Sequence, residues 1–254
     1  YPAISYSSFV SNPKIKSMPQ KNLIIQANED AMAAFDADIR HMGALVLENF
    51  SLASEGLLQR NTDLCNRAIA DDEEVNRLEK KIDLTGVELI VRFGPVASNF
   101  RRIIASMKVS TALERAADHA VNLARRGRKL NLRQPIPETA NIKELADLAA
   151  AQLRDSINAY CDGNLQSALR LLSRDTALDL AYEAFTQRII TLMETDSAHV
   201  KDYVDLLFAT RFIERIGDQS ENIAEDTVYY LTAMDIRHGG DRPDSEEAPS
   251  GAVP

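Results

Sequence analysis

One side-chain pattern occurs twice in this chain. RFIERIGDQSENIAEDTVYY, residues 211–230, carries Glu214, Asp218 and Asn222 at intervals of four. TALERAADHAVNLARR, residues 111–126, carries Glu114, Asp118 and Asn122 at the same interval. Corresponding positions lie 100 residues apart, and Arg115/Arg215, Leu123/Ile223 and Ala124/Ala224 match as well. On an α-helix each step of four advances about 400°, so the three side chains form one slowly drifting stripe. Ile213, Ile216 and Ile223 make the stretch amphipathic. A single acidic stripe is a weak signal, since helices are rich in acids. Its return within matching apolar surroundings makes the chain a duplication, and that constrains the fold more than any other feature. Carboxylates four residues apart on a helix repel one another, so the stripe calls for a compensating partner.

The rest of the chain fits two copies of one helical unit. Ala and Leu are abundant, Trp is absent and only 10 of 254 residues are Gly, a composition that favours helix throughout. Residues 29–59 place Phe35, Ile39, Met42, Val46, Phe50, Ala53 and Leu57 at helical spacing. Asn61-Thr62-Asp63 offers a cap for a second helix running to about Phe93, and Gly94-Pro95 ends it. A third helix spans about 97–129. NLRQPIPE, with Pro135 and Pro137, is the internal linker. Three further helices repeat the plan over about 139–161, 164–194 and 196–234. The expected fold is all-α, a tandem repeat of two three-helix antiparallel bundles, six helices in all. Its boundaries are a disordered N-terminal extension over 1–27, bundles over 28–134 and 135–236, and a disordered acidic tail over 237–254.

The repeat exposes a second acidic set. Asn61/Asn164, Asp72/Asp175 and Asn76/Asp179 correspond at an offset of 103. SRDTALDLAYEAF thus sets Asp175, Asp179 and Glu183 on one stripe, and ADDEEVNRLEKKID sets Asp72, Asn76 and Glu79 on its counterpart. Antiparallel second and third helices would bring these acids to face Glu214, Asp218 and Asn222 in one half, and Glu114, Asp118 and Asn122 in the other. Carboxylate and amide oxygens are hard ligands, suited to magnesium, calcium, manganese or iron. Asn76 stands where the second half has an acid, so the first-half site is expected to hold metal less well. The opposing reading is a solvated acidic face paired with Arg115, Arg211 and Arg215.

Several function classes are excluded or disfavoured. A net charge of −9 argues against a general nucleic-acid binder. Cys65 and Cys161 form no C-x-x-C, so neither thiolate zinc nor a disulfide framework is supported, and the pair suits a reducing cytoplasm. No apolar run approaches the length of a membrane span. There is no Gly-rich phosphate loop or nucleophile constellation, so a transferase or ATPase is disfavoured. A di-iron carboxylate enzyme is the main rival, but that fold wants Glu-x-x-His pairs, and no His follows the repeated acids at that spacing. A scaffolding bundle with acids as surface charge is the other. Arg125, Arg126, Arg128, Lys129 and Arg133 form a basic run, read as favourable charge at a helix C-terminus followed by a solvated linker. Its alternative is docking to an acidic partner or phospholipid headgroups. His41, His199 and His238 each follow an Asp by three residues and read as surface or cap residues.

The sequence resembles the PhoU family of phosphate-specific transport accessory proteins. AIADDEEVNRLEKKID, FGPVASNFRRIIASMKVSTALERAADHAVN, RDTALDLAYEAFTQRI and FATRFIERIGDQSENIAEDTVYYLT carry the resemblance, which spans about residues 33–241. It implies two three-helix bundles whose E/D-x-x-x-D motifs hold divalent or trivalent metal ions, such as iron, zinc, manganese or magnesium, with no organic cofactor. Glu214, Asp218, Asn222, Asp175 and Asp179 match those motifs, as do Asp72, Glu114 and Asp118. Ala116-Ala117 replaces the family's usual Ile-Gly in the first half. The resemblance further implies a non-enzymatic cytoplasmic regulator that restrains phosphate uptake and the phosphate-starvation response. Its implied partners are the ATPase subunit of a phosphate ABC transporter, a sensor histidine kinase and a second copy of the chain, with membrane contact only through partners.

Overall fold

Eight α-helices and two short 3-10 turns make up the described part of the chain. The computed structural model describes residues 20–173 and 176–237, with the backbone alone for 20–24 and 176. In the first half α1 is Gln20–Leu58, α2 Thr62–Ala70, α3 Asp72–Phe93 and α4 Ala97–Asn131. In the second, α5 is Ile142–Cys161, α6 Leu165–Leu172, α7 Thr176–Thr195 and α8 Val200–Thr232. The fold is all-α, and it counts as six helices when α2–α3 and α6–α7 are each taken as one interrupted helix.

The interruptions correct the expectation of an unbroken second helix. At the first, Asp71 joins two helices, and Asp72, Glu73 and Glu74 crowd the opening turn of α3. Acids there face the positive end of the helix dipole, which favours a fresh start over continuation. A second correction concerns the N-terminus: α1 begins at Gln20, so residues 20–27 are helical rather than part of an extension. Residues 1–19 and 238–254, where the sequence leads one to expect disorder, lie outside the described residues.

The local signals otherwise act as their chemistry dictates. Asn61 accepts hydrogen bonds from the Asp63 and Leu64 amides, and Asn164 from that of Ser167, so both interrupted helices open on a side-chain cap. Gly94 closes α3 in the left-handed region, at φ 54°, a conformation that costs glycine little. Phe35, Ile39, Met42, Val46, Phe50, Ala53 and Leu57 are all buried, so the whole expected stripe of α1 faces the core. Full burial of each large member contributes roughly 1.5–3 kcal/mol.

The centre of the molecule is the pairing of α4 with α8, which is more extensive than any other. α1 packs on α4, α5 packs on α8, and α1 meets α5, so the first and third helices of both halves form one inner layer. The interrupted helices flank it, α2–α3 against α1 and α4, α6–α7 against α5 and α8. Ala116, Ala117, Ala120 and Ala124 on α4, and Ala209 and Ala224 on α8, are fully buried, and their small size permits close helix approach.

Ion pairs lock α4 and α8 in antiparallel register. Lys108 meets Asp226 at 3.0 Å near one end. Arg126 meets Asp205, and Arg133 meets Asp202 at 3.0 Å and Asp205 at 2.7 Å, near the other. The Asp205 side chain is only 7% exposed. Two members of the basic run are thus internal struts between the halves, which corrects their reading as solvated charge. Among the described residues, no helix is long and apolar enough to cross a membrane.

Candidate metal centre

The second-half stripe lies on α8, where Ile213, Ile216 and Ile223 are buried and turn its acidic edge toward α7. Glu214 is partly buried. Its Oε1 accepts a hydrogen bond from Arg211 Nη1 at 2.6 Å, while Oε2 is buried and has no hydrogen-bond partner among the described residues. Burial pushes the Glu214 carboxyl above its ordinary range, and the charges of Asp218 and, from α7, Asp179 push it further; Arg211 and Arg215 oppose them. The structure therefore brings Glu214, Asp218 and Asp179 within electrostatic reach of one another. Asp175 lies outside the described residues. Asn222 is exposed and its amide donates to Gln219 Oε1 at 3.3 Å. It lines a neighbouring groove with Thr111, Lys108 and Arg115.

Gly217 explains how α7 comes so close, and sequence reasoning gave it no role. A Cβ at this position would lie 2.4 Å from Leu178 Cδ2 and 3.0 Å from Gln152 Oε1. Leu178 precedes Asp179, so the missing side chain lets the acid-bearing turn of α7 settle against α8. The first half carries Ala117 at the equivalent place. The signal was present in the departure of Ala116-Ala117 from Ile216-Gly217.

The first-half cluster joins α3 to α4. Asp72 Oδ2 accepts from Asn76 Nδ2 at 3.0 Å. Burial raises the Asp72 carboxyl, and so does the charge of Asp118, while Asn76 and Arg125 act against both. Glu114 is raised by burial and then by Asp118, Glu79 and Asp72, with Arg115 opposing. Glu79 thus belongs with Asp72, Glu114 and Asp118, and it restores the anionic character that Asn76 removes. Asn122 is turned to its own helix: its amide donates to the Asp118 carbonyl, and its Oδ1 accepts from Arg125. His119 faces away from the stripe, as its neighbouring position predicts, and stacks on Phe212 of α8 at 6.2 Å between centroids.

Among the described residues, no three His, Cys, Asp or Glu side chains converge closely enough to cage a metal ion. The chemistry of the donors nonetheless suits a hard cation. Carboxylates hold one another's ionisation back, and one buried oxygen, Glu214 Oε2, lacks a donor among the described residues. A cation would satisfy both needs at once. Among Glu214, Asp218, Asp179, Asp72, Asn76, Glu114 and Asp118, all oxygen or amide donors, there is no soft ligand that would favour copper(I) or an iron–sulfur cluster.

Comparison with known proteins agrees with this duplicated architecture. The family profile described as the PhoU domain matches residues 39–127 and again residues 142–227. The chain is 30% identical over 208 residues to a phosphate-specific transport system accessory protein PhoU homolog of Xylella fastidiosa, covering 82% of this chain and 88% of that protein. It is 32% identical over 204 residues to the phosphate-specific transport system accessory protein PhoU of Escherichia coli, covering 80% and 85%. The crystal structure of PhoU from Pseudomonas aeruginosa superposes with a TM-score of 0.79 at 25% identity, over 81% of this chain and 99% of that one. The phosphate transport system regulatory protein PhoU from Streptococcus pneumoniae superposes with a TM-score of 0.76 at 25% identity, over 82% and 98%. Two profile matches on the two structural repeats, with relatives covered over most of their length, establish that this chain belongs to the PhoU family.

Proposed function

We propose that this chain is a metal-binding, non-enzymatic regulator of phosphate homeostasis. It restrains phosphate uptake and the phosphate-starvation response, acting on the cytoplasmic side between a phosphate ABC transporter, through its ATPase subunit, and a sensor histidine kinase. The regulatory part of this reading rests on family membership, since the relatives are accessory proteins of phosphate-specific transport. The metal-binding part rests on one observation above the others: among the described residues the buried Glu214 Oε2 has no hydrogen-bond partner, and the carboxyl lies within reach of the charges of Asp218 and Asp179. Asp179, Glu214 and Asp218, with Asp175, would hold the ion in the second half. Asp72, Glu114 and Asp118, with Asn76 and Glu79, would do so in the first. The ion would neutralise the clustered charge and tie each interrupted helix to the inner layer. A second copy of the chain is part of the proposed assembly.

Two measurements test the reading. Elemental analysis of purified protein should find iron, zinc, manganese or magnesium at stoichiometric levels. Deleting the gene should derepress phosphate-starvation genes when phosphate is plentiful. Metal-free protein with full regulatory activity would remove the metal from the mechanism. Unchanged gene expression and phosphate uptake in the deletion strain would overturn the regulatory role.

A further inference from the structure

The end of α4 carries charge that the fold does not use. Arg126 and Arg133 point inward to α8, whereas Arg128, Lys129 and Leu132 share the outer face of the last two turns with Arg125, which also donates to Asn122. With Thr62 at the start of α2 they line a shallow groove of about 430 Å³. Among the described residues, neither Arg128 nor Lys129 has a carboxylate partner, although the chain as a whole has a net charge of −9. Leu132, just past the helix, is 87% exposed.

Helix-terminal cations are commonly explained by the helix dipole. The repeat supplies a control for that explanation. The equivalent positions on α8 are Glu225, Val228, Tyr229 and Thr232, and the last turn of α8 has no basic residue. α8 is nevertheless a full helix of 33 residues. The fold of the repeat therefore does not require this basic face, and only the first copy has it.

We propose that the outer face of the α4 C-terminus is a docking surface for an anionic lipid bilayer. This goes beyond membrane contact through partner proteins and does not depend on the metal reading. Arg128 and Lys129, with Arg125 beside them, meet lipid phosphates, and Leu132 enters the hydrocarbon edge below the headgroups. A few cations around one leucine form too small a patch for a specific protein interface. Attraction to an anionic leaflet adds charge by charge and needs no shape complement. Since the chain is acidic overall, the bilayer repels most of its surface and admits it with this tip foremost.

The test is co-sedimentation of the full chain with vesicles of phosphatidylcholine alone and of phosphatidylcholine with phosphatidylglycerol. The double variant Arg128→Gln/Lys129→Gln is compared with wild type; Arg125 stays because its charge reaches Asp72. Wild type should bind only the anionic vesicles, more weakly as salt rises. Each lost cation should cost about fivefold, so roughly 25-fold for the pair, with an unchanged melting temperature. Leu132→Ser should weaken binding by about fivefold with the salt dependence kept. Equal binding to both vesicle types, or a double variant that binds like wild type, would overturn the proposal. So would loss of vesicle binding to added inorganic phosphate at constant ionic strength, which would assign the face to free phosphate. Capture of polyglutamate without vesicle binding would assign it to an acidic protein and overturn it equally.

Discussion

The two acidic clusters repeat one pattern and meet their crowding in different ways. In the first half, Asp72 is held by Asn76, and Asn122 closes onto its own helix with Arg125. In the second half, Glu214 has Arg211 on one oxygen and, among the described residues, no hydrogen-bond partner on the other. The first cluster draws much of its compensation from neutral amides of its own. The second has an acid, Asp179, in place of Asn76, and Gly217 lets that acid draw near. A carboxylate stripe therefore does not by itself define a need for a cation. The need depends on whether the flanking helix supplies an amide or another acid, and on how close it can come.

The largest expected effect concerns the metal. Asp179→Asn with Asp218→Asn should abolish stabilisation by metal in the second half, about 2.7 kcal/mol at a metal concentration a hundredfold above its dissociation constant. Metal-free stability should stay level or rise by a few tenths of a kcal/mol, because like-charge repulsion is removed. Asp118→Asn should cost less metal. Calorimetry with and without chelator reads both variants; a large loss of metal-free stability would recast these acids as salt-bridge partners.

Gly217→Val comes next. Overpacking against Leu178 should destabilise by about 2 kcal/mol even though valine is the better helix former. Ala117→Gly should cost about 1 kcal/mol through backbone freedom, plus the loss of a buried methyl. Urea titration separates the two, and a neutral Gly217→Val would mean that close approach is not what glycine serves there. Asn76→Asp should then make the first cluster resemble the second. Its metal content should rise, while metal-free stability falls by about 1 kcal/mol with the loss of the amide bond to Asp72.

The smallest effect is a slope with pH. Glu214, Glu114 and Asp72 have folded-state carboxyls raised above their unfolded values. Between those values the folded state binds more protons than the unfolded one, so stability falls as pH rises. These groups should thus make the metal-free protein more stable as pH drops toward 4.5, the ordinary glutamate value, opposite to the usual behaviour of paired carboxylates. Glu214→Gln should flatten melting temperature against pH in chelator, and Glu114→Gln should do the same from the other half. Unaltered slopes in both variants would mean that these carboxyls titrate normally.

Much of this was legible in the residues because it is periodic. The stripe of α1, the Asn61 and Gly94 punctuation and the offset between halves all follow from local chemistry. The facing of Asp179 and Glu214 followed from the offset together with antiparallel packing. What stayed hidden depends on packing across helices. The interruption at Asp71 has no proline or glycine to announce it. Arg126 is indistinguishable from Arg128 until α8 is in place. Gly217 matters through Leu178 and Gln152, neither of which is near it in sequence.

The antiparallel α4–α8 pair also has a consequence for how the molecule opens. Its partly buried struts join residues on opposite sides of the linker, such as Lys108 with Asp226 and Arg126 with Asp205. Neither half can expose its third helix without stranding a charge from the other, so the inner layer should open as one cooperative unit. Amide protons of α4 and α8 should therefore exchange with solvent last and at a common rate. Those of α3 and α7 should be lost through smaller, separate openings. Both acidic clusters sit on the seam between these two regimes, so occupancy of either would register as slower exchange in one outer helix while the inner pair keeps its own pace.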